Sequence, residues 1–269
     1  MRCLRAKDLA EALELRENYP DFVLLFGATD IALKIKRGQL KGIIDITHLE
    51  DLAFIKKSES SLSIGGLTTI NTLLNNKDIN ELTPILTDAS REFASHQIRN
   101  MASLAGNIAN DSPVADLIAP LLVLDAKVTL ASTKGERTIF LHELLIGFKS
   151  LDLHNEIITS FTIPLNKSQY YYRKVGARKR LNISKLSLAM VKNEKGFFIS
   201  GASLNPYVKR FTHLETLLNS AKYDDAEIKE AIAKDINPSG SFRSTKEYRS
   251  RVLFNLVKEA LRDIITKTL

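Results

Sequence analysis

Residues 22–31 have the sequence FVLLFGATDI, and this stretch decides how the first part of the chain folds. The apolar run 22–26 has the length of a buried strand, and Gly27 follows it directly. Glycine permits a sharp turn, and the small residues after it leave backbone N–H groups uncovered before a helix predicted over 31–35. Such a turn suits a pyrophosphate. On this loop alone, the plainer interpretation, in which Thr29 or Asp30 caps the helix, is favoured.

Periodic patterns on both sides of this stretch predict three units. A helix over 7–17 and a short buried strand over 43–46 complete a small α/β unit, residues 1–55. In residues 56–167, the patterns predict helices over 68–74 and 84–93, a strand at 127–130, a hairpin turn at 134–137 and a strand at 157–164. In residues 168–269, they predict a strand over 197–204 and an amphipathic helix over 248–265.

A second small-residue loop, SLAGNIANDSP at 103–113, lies in a long segment, 95–120, with little periodicity. Segments of this length without regular structure are usually functional in compact domains. Ser, Gly and Asn residues offer hydroxyl and amide groups beside another exposed backbone turn. Two such loops suggest a long dinucleotide. Neither loop is a Rossmann or Walker motif, so another dinucleotide scaffold is expected.

Composition excludes several classes of protein. The 269 residues carry a net charge of +7, which suits nucleic acid, an anionic cofactor or an acidic partner without choosing among them. The absence of Trp and of interleaved aromatic and basic residues argues against nucleic-acid binding. The single cysteine, Cys3, cannot hold an iron–sulfur cluster alone, and the five histidines show no metal-ligand spacing, so no protein-bound metal is expected.

The sequence also predicts a location away from membranes. No apolar stretch approaches the roughly 20 residues that span a bilayer. The first 20 residues mix acids and bases, unlike a secretory leader. A cytoplasmic protein is expected.

Several motifs, taken in order, are more specific than either loop. They are FGATDI (26–31), IGGLTT (64–69), SHQIRNMASLAGNIA (95–109), SPVADL (112–117), EII (156–158), IP (163–164), RKVGARK (173–179) and SFRSTKEYR (241–249). In this order, and over nearly the whole chain, they resemble the FAD-binding subunit of the molybdenum hydroxylases, the xanthine dehydrogenase and carbon monoxide dehydrogenase family.

The resemblance implies an α+β fold. It implies a PCMH-type FAD-binding domain, like that of vanillyl-alcohol oxidase, made of two α/β subdomains at 1–55 and 56–167. A C-terminal α+β domain of the carbon monoxide dehydrogenase flavoprotein type would occupy 168–269.

The resemblance also implies the residues that hold FAD. The pyrophosphate would lie on Leu24, Leu25, Phe26, Gly27, Ala28, Thr29, Asp30 and Ile31, and the second phosphate and ribityl loop would be Ser103, Leu104, Ala105, Gly106 and Asn107. Phe93 and Asp116 match contacts on the adenosine side, and Ile158 and Lys174 match residues near the flavin ring.

Lys174 is the candidate catalytic residue. Reduced flavin carries negative charge near N1 and the C2 carbonyl, which a nearby ammonium stabilises by a charge-assisted hydrogen bond. Arg178 and Lys185 are the alternatives within a run, 170–180, that otherwise suits a solvated basic surface. His96 and Arg99 are expected to have structural roles.

The chain departs from the family at two positions. The family shows Gly-Gly in both loops, whereas Ala28 and Ala105 replace one glycine in each. If either site needs a positive φ, the added methyl costs on the order of 1 kcal/mol.

The expected function is that of an FAD-dependent electron-transfer subunit. A separate molybdenum-cofactor large subunit would oxidise the substrate, a separate 2Fe–2S small subunit would relay electrons, and this chain would pass them to NAD+, oxygen or another acceptor. Two alternatives remain open: a scaffold subunit with a decayed flavin site, and a stand-alone oxidoreductase such as a UDP-N-acetylenolpyruvoylglucosamine reductase, which resembles the chain only in the flavin subdomains.

Overall fold

The first part of the chain forms a three-stranded parallel sheet with the strand order β1-β3-β2. The computed structural model of the protein describes residues 1–178, 182–220 and 222–266. The elements in order are β1 (Arg2–Arg5), α1 (Leu9–Asn18), β2 (Val23–Leu25), α2 (Ile31–Lys36) and β3 (Gly42–Asp45). Strand β1 was not predicted, because its residues are mostly exposed and carry no apolar pattern.

The central part is a five-stranded antiparallel sheet with the order β4-β5-β10-β6-β7. Its strands are β4 (Ile55–Lys57), β5 (Ser61–Gly65), β6 (Lys127–Ser132), β7 (Gly135–Phe140) and β10 (Ile157–Pro164). Between β7 and β10, the strands β8 (Leu145–Gly147) and β9 (Ser150–Leu151) form a separate small hairpin. The predicted strand 157–164 and the hairpin around Gly135 are confirmed.

Most of the helices of this part lie between β5 and β6. They are α3 (Ile70–Asn75), α4 (Lys77–Leu82), α5 (Pro84–Glu92), α6 (His96–Met101), α7 (Leu104–Ala109) and α8 (Ile118–Val123), with α9 (Leu141–Leu144) following β7. The segment 95–120 is therefore largely helical, and its assignment to irregular structure was wrong. Two serines start these helices, since Ser95 Oγ accepts from Ile98 N–H and Ser103 Oγ accepts from Gly106 N–H. Helices of six residues are too short to show periodicity.

The third part is a three-stranded antiparallel sheet covered by helices. It contains β11 (Gln169–Val175), β12 (Leu186–Asn193), β13 (Gly196–Ser200), α10 (Thr212–Leu218), α11 (Asp225–Asp235) and α12 (Lys246–Thr266). The predicted C-terminal helix is confirmed, whereas the strand predicted over 197–204 ends at Ser200. Much of the basic run 170–180 belongs to β11, and residues 179 and 180 lie outside the described residues.

Two hydrophobic cores hold these parts together. One runs through the first two sheets and continues onto Ala189, Val191 and Phe198 of the third. The other fills the space between the third sheet and helices α10–α12. The first core thus fixes the turn after β2 against the α6–α7 segment. Among the described residues, no helix combines the length and apolar character needed to cross a bilayer.

Candidate functional site

A cavity of about 360 Å³ opens where the turn after β2 faces the α6–α7 segment. Both predicted loops contribute to its wall. Of the residues expected to hold the cofactor, those that line it are Leu24, Phe26, Gly27, Ala28, Thr29, Asp30, Ile31, Phe93, Ser103, Gly106, Asn107 and Ile158. Sequence positions up to 134 residues apart therefore meet at one cavity of the size expected for a ligand site.

The turn after β2 lines this cavity and carries uncommitted backbone hydrogen-bond donors. No described residue accepts a hydrogen bond from the backbone N–H groups of 27–31. Asp30 does not cap α2, and its Oδ2 instead accepts from Asn110 Nδ2 at 2.7 Å, across the gap to the end of α7. The capping interpretation of Thr29 and Asp30 therefore does not describe this turn, and its donors are available to an anion.

Gly27 is required by the close approach of the α6–α7 segment. A Cβ built on Gly27 would lie 2.0 Å from the carbonyl oxygen of Met101 and 3.2 Å from the Cα of Ala102. Both obstacles are backbone, which cannot move aside cheaply. The glycine thus allows the two loops to lie side by side.

Ala28 stands in the left-handed region of backbone space, with φ of 62°. The alanine that replaces the family's glycine here therefore needs a positive φ, and the resulting backbone strain is of order 1 kcal/mol relative to glycine. Ala105 differs, because it lies within α7, is fully buried and has no positive φ. Its methyl group packs in the core.

In the second loop, residues 103–107, most backbone N–H groups already donate hydrogen bonds within the protein. The N–H of Leu104 donates to Thr68 O at 3.0 Å, and that of Ala105 donates to Gly66 O at 2.9 Å. Both side chains are buried, and neither lines the cavity. This loop offers Ser103, Gly106 and Asn107 to a ligand, while Leu104 and Ala105 support it from within the core.

Lys174 and Asp116 form a buried ion pair outside the cavity. Lys174 Nζ lies 2.8 Å from Asp116 Oδ2, donates to Glu92 O at 2.9 Å, and its side chain is only 3% exposed. Burial raises the pKa of Asp116 to about 6, against the opposing effect of the Lys174 ammonium. Asp116 does not cap α8. Glu92 immediately precedes Phe93, so the pair lies next to the cavity wall without being part of it.

The remaining predicted residues lie elsewhere. Leu25 does not line the cavity, and its carbonyl accepts from Ile46 N–H. Arg178 is exposed, and Lys185 lies over the ring of Tyr248 at 5.2 Å, beside a different cavity. Arg99 has the structural role expected of it, since its Nη1 donates to the carbonyls of Phe93 and Ala94.

Two cationic side chains of the cavity wall, Arg16 and Lys34, were missed by sequence reasoning. Arg16 Nη1 donates to Pro20 O and Phe22 O, both at 2.9 Å, and its buried Nε has no partner among the described residues. Burial lowers the pKa of this guanidinium. A cation in the last turn of a helix is common, which is why Arg16 carried no signal of its own.

Glu156 is one of three acidic residues in the wall, with Asp21 and Asp30, and Arg137 holds it in place. Arg137 on β7 donates from Nε to Glu156 Oε1 at 2.9 Å and from Nη2 to Oε2 at 2.7 Å, and it also bonds Asp152. The pKa of Arg137 is raised by these two carboxylates. A bidentate pair of this geometry fixes the segment that leads from Asp152 to Ile158. Among the described residues, no three His, Cys, Asp or Glu side chains come together as a metal site.

Comparison with known proteins identifies the class. Residues 1–166 match the family described as the FAD binding domain in molybdopterin dehydrogenase, and the chain therefore belongs to this family. The predicted family membership and the FAD cofactor are confirmed.

Particular relatives extend the match to nearly the whole chain. The chain is 28% identical over 276 residues to the xanthine dehydrogenase FAD-binding subunit of Escherichia coli O157:H7, covering 97% of this chain and 94% of the relative. It is also 28% identical over 273 residues to the glyceraldehyde dehydrogenase medium chain of Sulfolobus acidocaldarius, covering 97% of each. The chain is thus an FAD-binding oxidoreductase subunit of the molybdenum hydroxylase family.

Solved structures confirm the predicted fold. A chain of the carbon monoxide dehydrogenase from Hydrogenophaga pseudoflava superposes with a TM-score of 0.91 at 22% identity, covering 99% of this chain and 97% of that one. A chain of quinoline 2-oxidoreductase from Pseudomonas putida 86 gives a TM-score of 0.89 at 16% identity. These likenesses include the third sheet, which the stand-alone reductase alternative does not explain.

Proposed function

We propose that this chain holds one FAD in the cavity between its two loops and passes electrons from an iron–sulfur partner subunit to NAD+, oxygen or another acceptor. The observation that carries the proposal is that residues 27–31 line the cavity with backbone N–H groups that no described residue accepts, beside the close approach at Gly27. Backbone donors in such a turn bind phosphate oxygens, and FAD carries two phosphates.

The residues of the cavity divide this task by their chemistry. The 24–31 stretch, with Ser103, Gly106 and Asn107, would hold the pyrophosphate and ribityl chain by hydrogen bonds. Phe93 and Ile158 supply apolar surface, and Arg16 and Lys34 supply positive charge. When bound, FAD supplies one- and two-electron redox chemistry, and the protein orients it and tunes its charge.

Electrons must then arrive from another polypeptide. Cys3 is the only cysteine, so the chain cannot ligate a cysteine-bound cluster by itself. We assign that role to a 2Fe–2S small subunit and the oxidation of substrate to a molybdenum-cofactor large subunit, in the cytoplasm. The relatives named as an FAD-binding subunit and a medium chain support this division.

The proposal also assigns three domains, 1–55, 56–167 and 168–269, one to each main sheet. The Lys174–Asp116 pair would join the third domain to the flavin cavity, since Lys174 is on β11 and bonds Glu92 O next to Phe93. Lys174 as the catalytic partner of the flavin ring stays a prediction. In this structure, the Lys174 ammonium does not line the cavity, and its link to the cavity is the hydrogen bond to Glu92 O, next to Phe93 of the wall.

Reoxidation of the FAD-loaded chain tests the electron-transfer step. The flavin is photoreduced without oxygen, and NAD+ or oxygen is then added while the flavin absorption band is followed. Return of the oxidised band with one of these acceptors supports the proposal and names the acceptor. A chain that binds FAD but never exchanges electrons, even within the purified complex, would favour the scaffold alternative.

A further inference from the structure

A tight turn at residues 241–244, directly before α12, presents an aromatic ring to solvent. Ser241 and Ser244 exchange two backbone hydrogen bonds, Ser241 N to Ser244 O at 3.0 Å and Ser244 N to Ser241 O at 3.2 Å. Phe242 and Arg243 therefore occupy the tip. Phe242 is 91% exposed, and the Arg243 guanidinium lies 4.5 Å from its ring centroid. The ring and the guanidinium are thus presented together at the tip, as an aromatic and cationic pair available to a partner.

Arg249 braces this turn from beneath. Its side chain donates from Nε to Ser244 Oγ at 2.8 Å, from Nη2 to Ser241 Oγ at 3.1 Å and from Nη1 to Ser203 O at 2.7 Å, and the residue is only 6% exposed. Both ends of the turn are thus bonded to one buried guanidinium. The tip is held in a fixed conformation, which lowers the entropy cost of binding a partner.

Positive charge dominates the surface next to the tip. A cavity of about 450 Å³ there is lined by the cations Lys185, Arg243 and Arg251, with Glu247 as its acid. Arg249 adds a buried charge that pairs with no described carboxylate. Three cations of the cavity wall against one acid, with the buried Arg249 charge beneath them, attract negatively charged groups to this face.

We infer that the face formed by Phe242, Arg243, Arg251 and Lys185, called here the basic turn face, docks an acidic segment of another subunit of the proposed complex. Phe242 would enter an apolar pocket of that subunit while the cations pair with its carboxylates. An aromatic anchor flanked by arginine is the composition found at the centre of protein interfaces. A second copy of this chain fits less well, because each copy carries a net charge of +7.

Hydrogen exchange tests the location of this interface. The inference rests on the proposed function, so the complex is purified from its native cell through a tag on this chain and is compared with the isolated chain. The expected result is slower exchange over residues 241–251 in the complex. Unchanged exchange there would overturn the inference, as would slowing of the same segment in the isolated chain by inorganic phosphate alone.

Substitutions test whether the face contributes to assembly. Phe242→Ala and Arg251→Glu are expected to weaken assembly by about tenfold or more, seen as less molybdenum and iron per chain after purification at moderate salt. Lys195→Glu, at another exposed basic residue in the β12–β13 turn, is the matched control and should leave assembly unchanged. Equal metal content in all variants would contradict the inference.

The FAD content of the isolated chain separates the two proposals. Bound FAD with assembly unaffected by the substitutions leaves the proposed function standing and rejects the basic turn face. If the wild-type chain binds FAD but co-purifies with no molybdenum or iron, the docking role of the basic turn face is also rejected. No FAD in any preparation rejects the proposed function first.

Discussion

Lys174 Nζ lies 2.8 Å from Asp116 Oδ2, and this buried pair links strand β11 of the third sheet to the segment just before α8. The family resemblance implied that Asp116 and Lys174 contact opposite ends of a bound FAD, whereas in the structure the two side chains are bonded to each other. Asp116 Oδ1 is buried and has no partner among the described residues, so one ammonium compensates the carboxylate incompletely. Burial consequently outweighs the ion pair in setting the pKa of Asp116.

The pH dependence of the free energy of unfolding should show that burial of Asp116 outweighs its ion pair with Lys174. The pKa of Asp116 is raised in the folded protein from 3.8 to about 6, so the folded state binds this proton more tightly than the unfolded state does. Its contribution is therefore fully present below about pH 4 and is lost as the pH rises through about 6. The difference corresponds to about 3 kcal/mol at most.

Urea unfolding between pH 4 and 7.5 measures this effect against Asp116→Asn. The wild-type free energy of unfolding should fall relative to that of the variant as the pH rises. A wild-type protein that gains stability relative to the variant over this range would show that Lys174 outweighs burial.

Ala28→Gly should stabilise the protein. Ala28 has φ of 62°, which glycine adopts without the strain of a Cβ. The expected gain is about 0.5–1 kcal/mol in the free energy of unfolding, with FAD binding no weaker. Ala105→Gly is the matched control at the other departure from the family. It should destabilise by about 1 kcal/mol, because Ala105 is helical and buried. If both variants lost a similar free energy of unfolding, Ala28 would not be strained.

Gly27→Ala should reduce FAD affinity strongly. The added Cβ would meet the Met101 carbonyl and push the two loops apart. We expect at least about a hundredfold weaker binding, or about 2.7 kcal/mol, measured by quenching of flavin fluorescence. Gly240→Ala serves as control, since a Cβ there meets nothing within 4 Å. Equal affinities of the two variants would remove Gly27 from the site.

Arg137→Gln should weaken FAD binding without unfolding the chain. Arg137 does not line the cavity, but it holds Glu156, which does. Release of the Asp152–Ile158 segment should lower FAD affinity by about tenfold. Lys77→Gln, which removes the exposed and looser Lys77–Glu81 pair at 3.8 Å, should leave affinity unchanged. Partial recovery with Arg137→Lys would assign the loss to the positioning of Glu156.

The sequence predicted the parts of the site that depend on local chemistry. A continuous apolar run followed by Gly27 was enough to predict β2 and its turn, because a buried strand and a glycine bend are local events. The resemblance then paired that turn with the 103–107 loop, and the structure brings both to one cavity.

What it could not predict depends on tertiary contacts. Arg16 looked like an ordinary cation at a helix end, and its place in the cavity wall follows from how α1 packs. Lys174 lay in a run that resembled a solvated surface, yet β11 crosses Glu92 and Asp116 and buries the side chain. Neither contact leaves a pattern along the chain.

Titration of the purified, flavin-free wild-type chain with FAD tests the central claim most directly. The account predicts that one FAD binds per chain and turns the protein yellow, and that FAD protects the N–H groups of residues 27–31 from hydrogen exchange. A folded chain that stays colourless, or that binds FAD while these N–H groups exchange at an unchanged rate, would contradict it.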